Sequence, residues 1–157
     1  RMGVLARDLT ATLLPLVKSG QVRVTQNARG VSVEINASVL FDQGQALLQP
    51  EASEILQAVG GLLRNDPHRL EVEGHTDDVP IASTVYPSNW ELSAARASSV
   101  VRLFIDSGVA PVQLSALGFA ATRPVAPNTD PVGQARNRRV AVMILAALPE
   151  TGGNILP

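Results

Sequence analysis

The sequence predicts a sheet carrying amphipathic helices, a layered fold in the α/β or α+β range. Three observations predict it. Apolar residues recur at helical spacing in three separate stretches, and strand-like alternation fills the intervals between them. With 45% hydrophobic and 17% charged residues over 157 positions, the chain has material for a core. That composition excludes wholesale disorder, and the length fits one domain with terminal extensions.

The first helix is carried by Leu5, Leu9, Leu13, Leu16 and Val17, with Arg7, Asp8 and Lys18 off the stripe. Pro15 lies inside it and is expected to kink or weaken the last turn, having no N–H to give. Val22 and Val24, then Asn27-Ala28-Arg29-Gly30, then Val31, Val33 and Ile35 alternate on either side of a glycine-containing turn and predict a β-hairpin. Pro50-Glu51 suits a helix start, where the missing proline N–H costs nothing. Ile55, Val59, Leu62 and Leu63 continue that helix to Asn65-Asp66-Pro67.

Leu70 and Val72 open a strand running into Gly74-His75-Thr76-Asp77, followed by a polar loop containing Pro80 and Pro87. Ser88-Asn89-Trp90-Glu91 has the form of a capping box. The helix it starts carries Leu92, Ala95, Val100, Leu103 and Phe104 and stops near Gly108. Leu114–Phe119 predicts another strand, Arg123–Gly133 a proline-rich loop, and Val140, Val142 and Ile144 a final strand. The Gly152-Gly153 tail is expected to be loose. Strand order stays open, and there is no internal repeat or low-complexity block.

Charge and composition exclude several functions. Thirteen basic against fourteen acidic residues give a net charge of −1, against the basic excess of duplex nucleic-acid binders. Arg136, Arg138 and Arg139 form a basic cluster, but only five aromatic residues exist to interleave with it, so it reads as a solvated strand entry. No cysteine is present, so disulfides and thiolate metal sites are excluded. His75 and His68, the only histidines, have no ligand set around them, and no metal or cofactor is expected.

Asp77, Asp78 and Glu73 invite a paired-carboxylate reading. As neighbours on a strand, Asp77 and Asp78 are expected on opposite faces, unable to share a substrate. Ser88, Ser93 and Ser98 lack a histidine partner for nucleophilic catalysis, so no enzyme is expected. Trp90 is expected to pack the helix start into the core. No apolar run is long enough to cross a bilayer, and Arg1-Met2-Gly3 leads directly into the first helix. A fragment severed from a membrane anchor is the expectation.

Four segments in order carry a resemblance: Val39-Leu40-Phe41-Asp42, Glu73-Gly74-His75-Thr76-Asp77, Asn89 to Ala97 (NWELSAARA), and Asn137-Arg138-Arg139-Val140 entering the last strand. Together they resemble the OmpA-like peptidoglycan-binding superfamily over roughly Val22 to Ile144. The run Pro87-Ser88-Asn89-Trp90-Glu91-Leu92-Ser93 after an extended loop is similar to the flagellar-stator branch, MotB and its paralogue MotD. The resemblance implies an α+β sandwich of βαβαβ type, a mixed sheet with helices packed on one face, plus an N-terminal helix. It divides the chain into a linker helix over 1–20, the wall-binding domain over 21–148 and a flexible tail over 149–157.

It also implies a function: non-catalytic binding of the peptidoglycan stem peptide, anchoring a stator to the cell wall. The owner would be an inner-membrane protein with one span and a periplasmic domain, working as a homodimer beside a MotA-like channel subunit. The alternative is a wall-tethering domain of an outer-membrane protein or a Pal-like lipoprotein. Diaminopimelate in the stem peptide is zwitterionic, and the family's ligand-contacting Asp and Arg match Asp77 and Arg96. Arg96 suits a carboxylate through its planar fork, and Asp77 an ammonium. Thr76, Asn89, Phe41, Asp42, Asn137 and Arg138 are the further candidates. A purely structural Asp77–Arg96 ion pair is the competing reading. The Leu5–Val17 helix and Pro15 are candidates for a switch that gates wall binding.

Overall fold

The computed structural model describes residues 1–147. Five strands form one sheet in the order β1-β2-β5-β3-β4. They are β1 (Val22–Asn27), β2 (Gly30–Asn36), β3 (Leu70–His75), β4 (Leu114–Gly118) and β5 (Arg139–Leu145). The β3–β4 pair is parallel and the others are antiparallel, so the sheet is mixed. The predicted hairpin is β1–β2, with Asn27 opposite Gly30, whose φ of 138° few residues other than glycine can adopt.

The helices follow the predicted stripes. α1 (Met2–Thr12) and α2 (Leu14–Lys18) pack along β1, α4 (Pro50–Leu63) bridges α1 and α5, and α5 (Asn89–Asp106) lies over β3 and β4. Leu9, Leu56, Leu63 and Phe104 from the helices meet Val33, Ile35, Val72, Val142 and Ile144 from the sheet in one core. Each such side chain contributes about 1.5–3 kcal/mol on burial. β5 sits centrally and is buried along all but its last residue. The opposite face carries half-buried Ser32, Glu34, Glu71 and Glu73.

Several expectations need correction. Pro15 does more than kink the first helix: α1 ends at Thr12 and α2 restarts at Leu14 with Pro15 in its first turn. A short helix, α3 (Ala37–Leu40), follows β2, and α6 (Pro131–Asn137) occupies the end of the expected Arg123–Gly133 loop. Asn137 therefore closes a helix instead of entering the last strand. Asp77 and Asp78 lie beyond β3, which ends at His75, so the opposite-face argument does not apply to them. Trp90 is 53% exposed and does not pack into the core. The inward face of α5 runs through Leu92, Arg96, Val100 and Phe104, and Trp90 lies on its flank in the first turn. The expected tail over 149–157 lies outside the described residues.

Candidate functional site

Two glycines set the distance between the site's halves. Gly74 on β3 and Gly118 on β4 are register partners, and α5 lies directly against both. A Cβ at Gly74 would stand 2.1 Å from the Ser93 carbonyl oxygen, and one at Gly118 would stand 2.7 Å from the Ala94 nitrogen. Only a strand pair without side chains there admits the helix so closely. The arrangement holds the segment after β3 beside α5. Ser93 adds a stitch: its buried hydroxyl accepts from the Ala120 N–H at 3.1 Å, and the Ala120 carbonyl accepts from Thr76 N–H at 2.9 Å.

At this junction lies a cavity of about 520 Å³. Its walls come from α3 and the loop after it (Phe41), the segment after β3 (Thr76, Asp77), α5 (Asn89, Arg96), and the α6–β5 corner (Arg138). On α5, Asn89, Leu92 and Arg96 follow one another at three- and four-residue steps, so all three face the cavity. The helix begins where the capping box predicts. The Ser88 hydroxyl accepts from Trp90 N–H at 3.1 Å and donates to the Glu91 carboxylate. That bond from Ser88 is the main reason the Glu91 carboxyl is held below the usual carboxylate range.

Asp77 and Arg96 are both buried, at 7% and 6% exposure, but they do not pair with each other. The Asp77 Oδ2 accepts from Arg138 Nη1 at 2.6 Å, and Oδ1 accepts from Val79 N–H at 3.1 Å. Arg96 donates from Nε to the Gln45 carbonyl at 2.8 Å and from Nη2 to the Asp42 carbonyl at 3.3 Å. Its guanidinium carbon stands 5.0 Å from the centre of the Phe41 ring. No carboxylate lies within ion-pair distance of Arg96 among the described residues. Burial lowers the Arg96 pKa from its ordinary value. Arg138 adds to the shift and Tyr86 opposes it.

The other candidates divide. Thr76, Asn89, Phe41 and Arg138 line the cavity. Thr76 donates its hydroxyl to the Asp77 carbonyl at 2.8 Å, and Asn89 holds the intervening loop by donating to the Val79 carbonyl at 3.0 Å. Asp42 reaches the site through its main-chain carbonyl. Its side chain is turned to Gln49, which donates to it at 2.9 Å. Asn137 is fully buried away from the cavity, accepting from Val125 and Ala126 N–H and donating to Ala126 and Asn128. It is the clasp of the loop that leads into α6.

Sequence reasoning overlooked Ser38, Gln43, Ile81 and Gln134, all on the cavity wall. Gln134 had a signal, because Asp130-Pro131 reads as an N-cap followed by proline at the first helical position. The Asp130 carboxylate does accept from Gly133 N–H, at 2.8 Å. His75 is 3% exposed, bonded to Glu73 at 3.0 Å and stacked on Phe119 with centroids 5.2 Å apart. Among the described residues no group of three or more metal-ligating side chains occurs.

The OmpA family model matches residues 40–138. Motility protein B of Bacillus subtilis is 34% identical over 127 residues, covering 80% of this chain and 49% of that protein. The cell wall anchor of the T6SS from Pseudomonas aeruginosa superposes with a TM-score of 0.82 at 34% identity, covering 88% of this chain and 97% of that one. A putative MotB like protein from Desulfovibrio vulgaris gives a TM-score of 0.82 at 27% identity, covering 92% and 93%. The chain spans about half the length of the first curated relatives it matches.

Proposed function

The chain belongs to the OmpA family, and from that membership we propose that its cavity binds the stem peptide of peptidoglycan without catalysis. The observation that supports this reading is a buried arginine, Arg96, with no carboxylate partner among the described residues, lining the same cavity as a buried aspartate. Two main-chain carbonyls orient the guanidinium and leave Nη1 for a ligand carboxylate. Asp77 receives the ligand ammonium. A zwitterionic diaminopimelate satisfies both groups, and each charge-assisted bond is worth about 1.5–3 kcal/mol.

The domain would then anchor a flagellar stator to the wall from the periplasmic side of the inner membrane. It would act as a homodimer beside a MotA-like channel subunit. The likeness to Motility protein B supports this assignment. Co-sedimentation with purified sacculi tests the site. Wild type is expected in the pellet, and Asp77→Ala and Arg96→Ala in the supernatant; variants that sediment like wild type remove the assignment.

A second reading, an anchor of a secretion machine, is favoured by the likeness to the T6SS cell wall anchor, almost all of which this chain covers. Replacing the wall-binding region of a Motility protein B with this chain separates the two. Restored swimming supports the stator. Retained sacculus binding without swimming supports the secretion anchor.

A further inference from the structure

Among the described residues, three charged side chains line the cavity: Asp77, Arg96 and Arg138. Their sum is one positive charge, so a zwitterion that meets Asp77 and Arg96 leaves Arg138 without an anion. The nearby acids do not cancel it. Asp42 and Asp78 are exposed, and the Asp42 side chain is turned to Gln49, so both are screened by solvent. Arg138 itself stands at the α6–β5 corner with its side chain 44% exposed. A single donor, Nη1, is committed, to Asp77 Oδ2, and the rest of the guanidinium has no acceptor among the described residues. Arg138 is also close enough to Arg96 to disfavour the charge on Arg96.

We propose that Arg138 is a specificity residue of this cavity, selecting ligands that bring one carboxylate more than they bring ammonium groups. The inference rests on the stem-peptide reading and deepens it. In the free protein Arg138 occupies Asp77 in the position an ammonium would take. When the ligand's ammonium reaches Asp77, Arg138 is displaced, and a second ligand carboxylate receives it. A ligand with that carboxylate converted to a carboxamide displaces Arg138 without compensating it. The site thereby distinguishes acidic stem peptides from amidated ones.

Isothermal titration with two synthetic peptides tests this. Both are alanyl-γ-glutamyl-diaminopimelate, acetylated at the N-terminus and amidated at the C-terminus. In one the glutamyl carboxylate is free, and in the other it is a carboxamide. Wild type is expected to prefer the free acid by roughly tenfold or more, as one charge-assisted bond implies. Arg138→Gln is expected to bind the two peptides equally, and to bind the carboxamide at least as tightly as wild type does, because Asp77 no longer has a competitor. Equal binding of both peptides by wild type overturns the proposal, as does a preference that survives in Arg138→Gln. Weakening of both peptides alike in that variant also overturns it, since it marks Arg138 as structural. Failure of wild type to bind either peptide instead overturns the stem-peptide reading itself.

Discussion

Arg96 does two jobs with one guanidinium. It faces the cavity and ties the carbonyls of Asp42 and Gln45, while Ser99 on the same helix ties the Ala46 carbonyl at 2.6 Å. Arg96→Lys keeps the charge but loses the fork, so loop 42–46 loses its brace. Denaturant unfolding is expected to show a loss of about 1–3 kcal/mol, with faster amide exchange in that loop and weaker sacculus binding. Unchanged exchange there would show that the loop stands without Arg96. Asn137 is the converse case, a buried amide that serves the fold. Asn137→Ala is expected to cost about 1–3 kcal/mol through its orphaned partners, measured by chemical unfolding. The charges at 77 and 96 were legible through the family motifs that carry them, with the strand-end and capped-helix signals in agreement. Their partners were not: which cation meets Asp77 depends on α6, and the sequence pattern hid α6.

α6 shows why. Its N-terminal signals are sound, but it is only seven residues long and includes Gly133. A Cβ there would stand 1.7 Å from the Pro127 carbonyl oxygen, so close packing, against helix propensity, selects the glycine. The longer α5 was legible from its cap and its stripe. Ser88→Ala is expected to lower stability by about 0.5–2 kcal/mol, read from the thermal or urea midpoint. Because the Glu91 pKa is held below its ordinary value, its contribution is present above the carboxylate range and disappears as pH falls through the folded value. Glu91→Gln is therefore expected to flatten that part of the acid-unfolding curve, and an unaltered curve would remove the coupling. Gly74→Ala forces α5 off the sheet and is expected to cost at least about 1–3 kcal/mol. It should abolish the proposed binding as well, since Arg96 sits on α5 and Asp77 follows the end of the strand from which α5 is pushed away.

Strand alternation reports which face a residue takes and is silent about which strands are neighbours, so the sheet order was out of reach. The last strand in the chain, β5, inserts between β2 and β3 and joins the β1–β2 hairpin to the β3–β4 pair. Both halves wait for residues 139–145, and the core valines Val31, Val33 and Val72 each have a β5 partner in register. Truncation after Arg138 is expected to leave a chain without cooperative thermal unfolding, followed by circular dichroism. A sharp transition in that fragment would mean that one half folds alone.

The interior position of β3, paired on both sides, has a mechanical meaning for the proposed tether. Asp77 lies two residues past the end of β3, which is joined through six register pairs to β5 and five to β4. If Asp77 holds the wall ligand as proposed, a tug along the strand strains those two ladders together in shear and not rung by rung as in unzipping. The grip is expected to slip before the sheet yields, so the anchor can let go and catch again without unfolding.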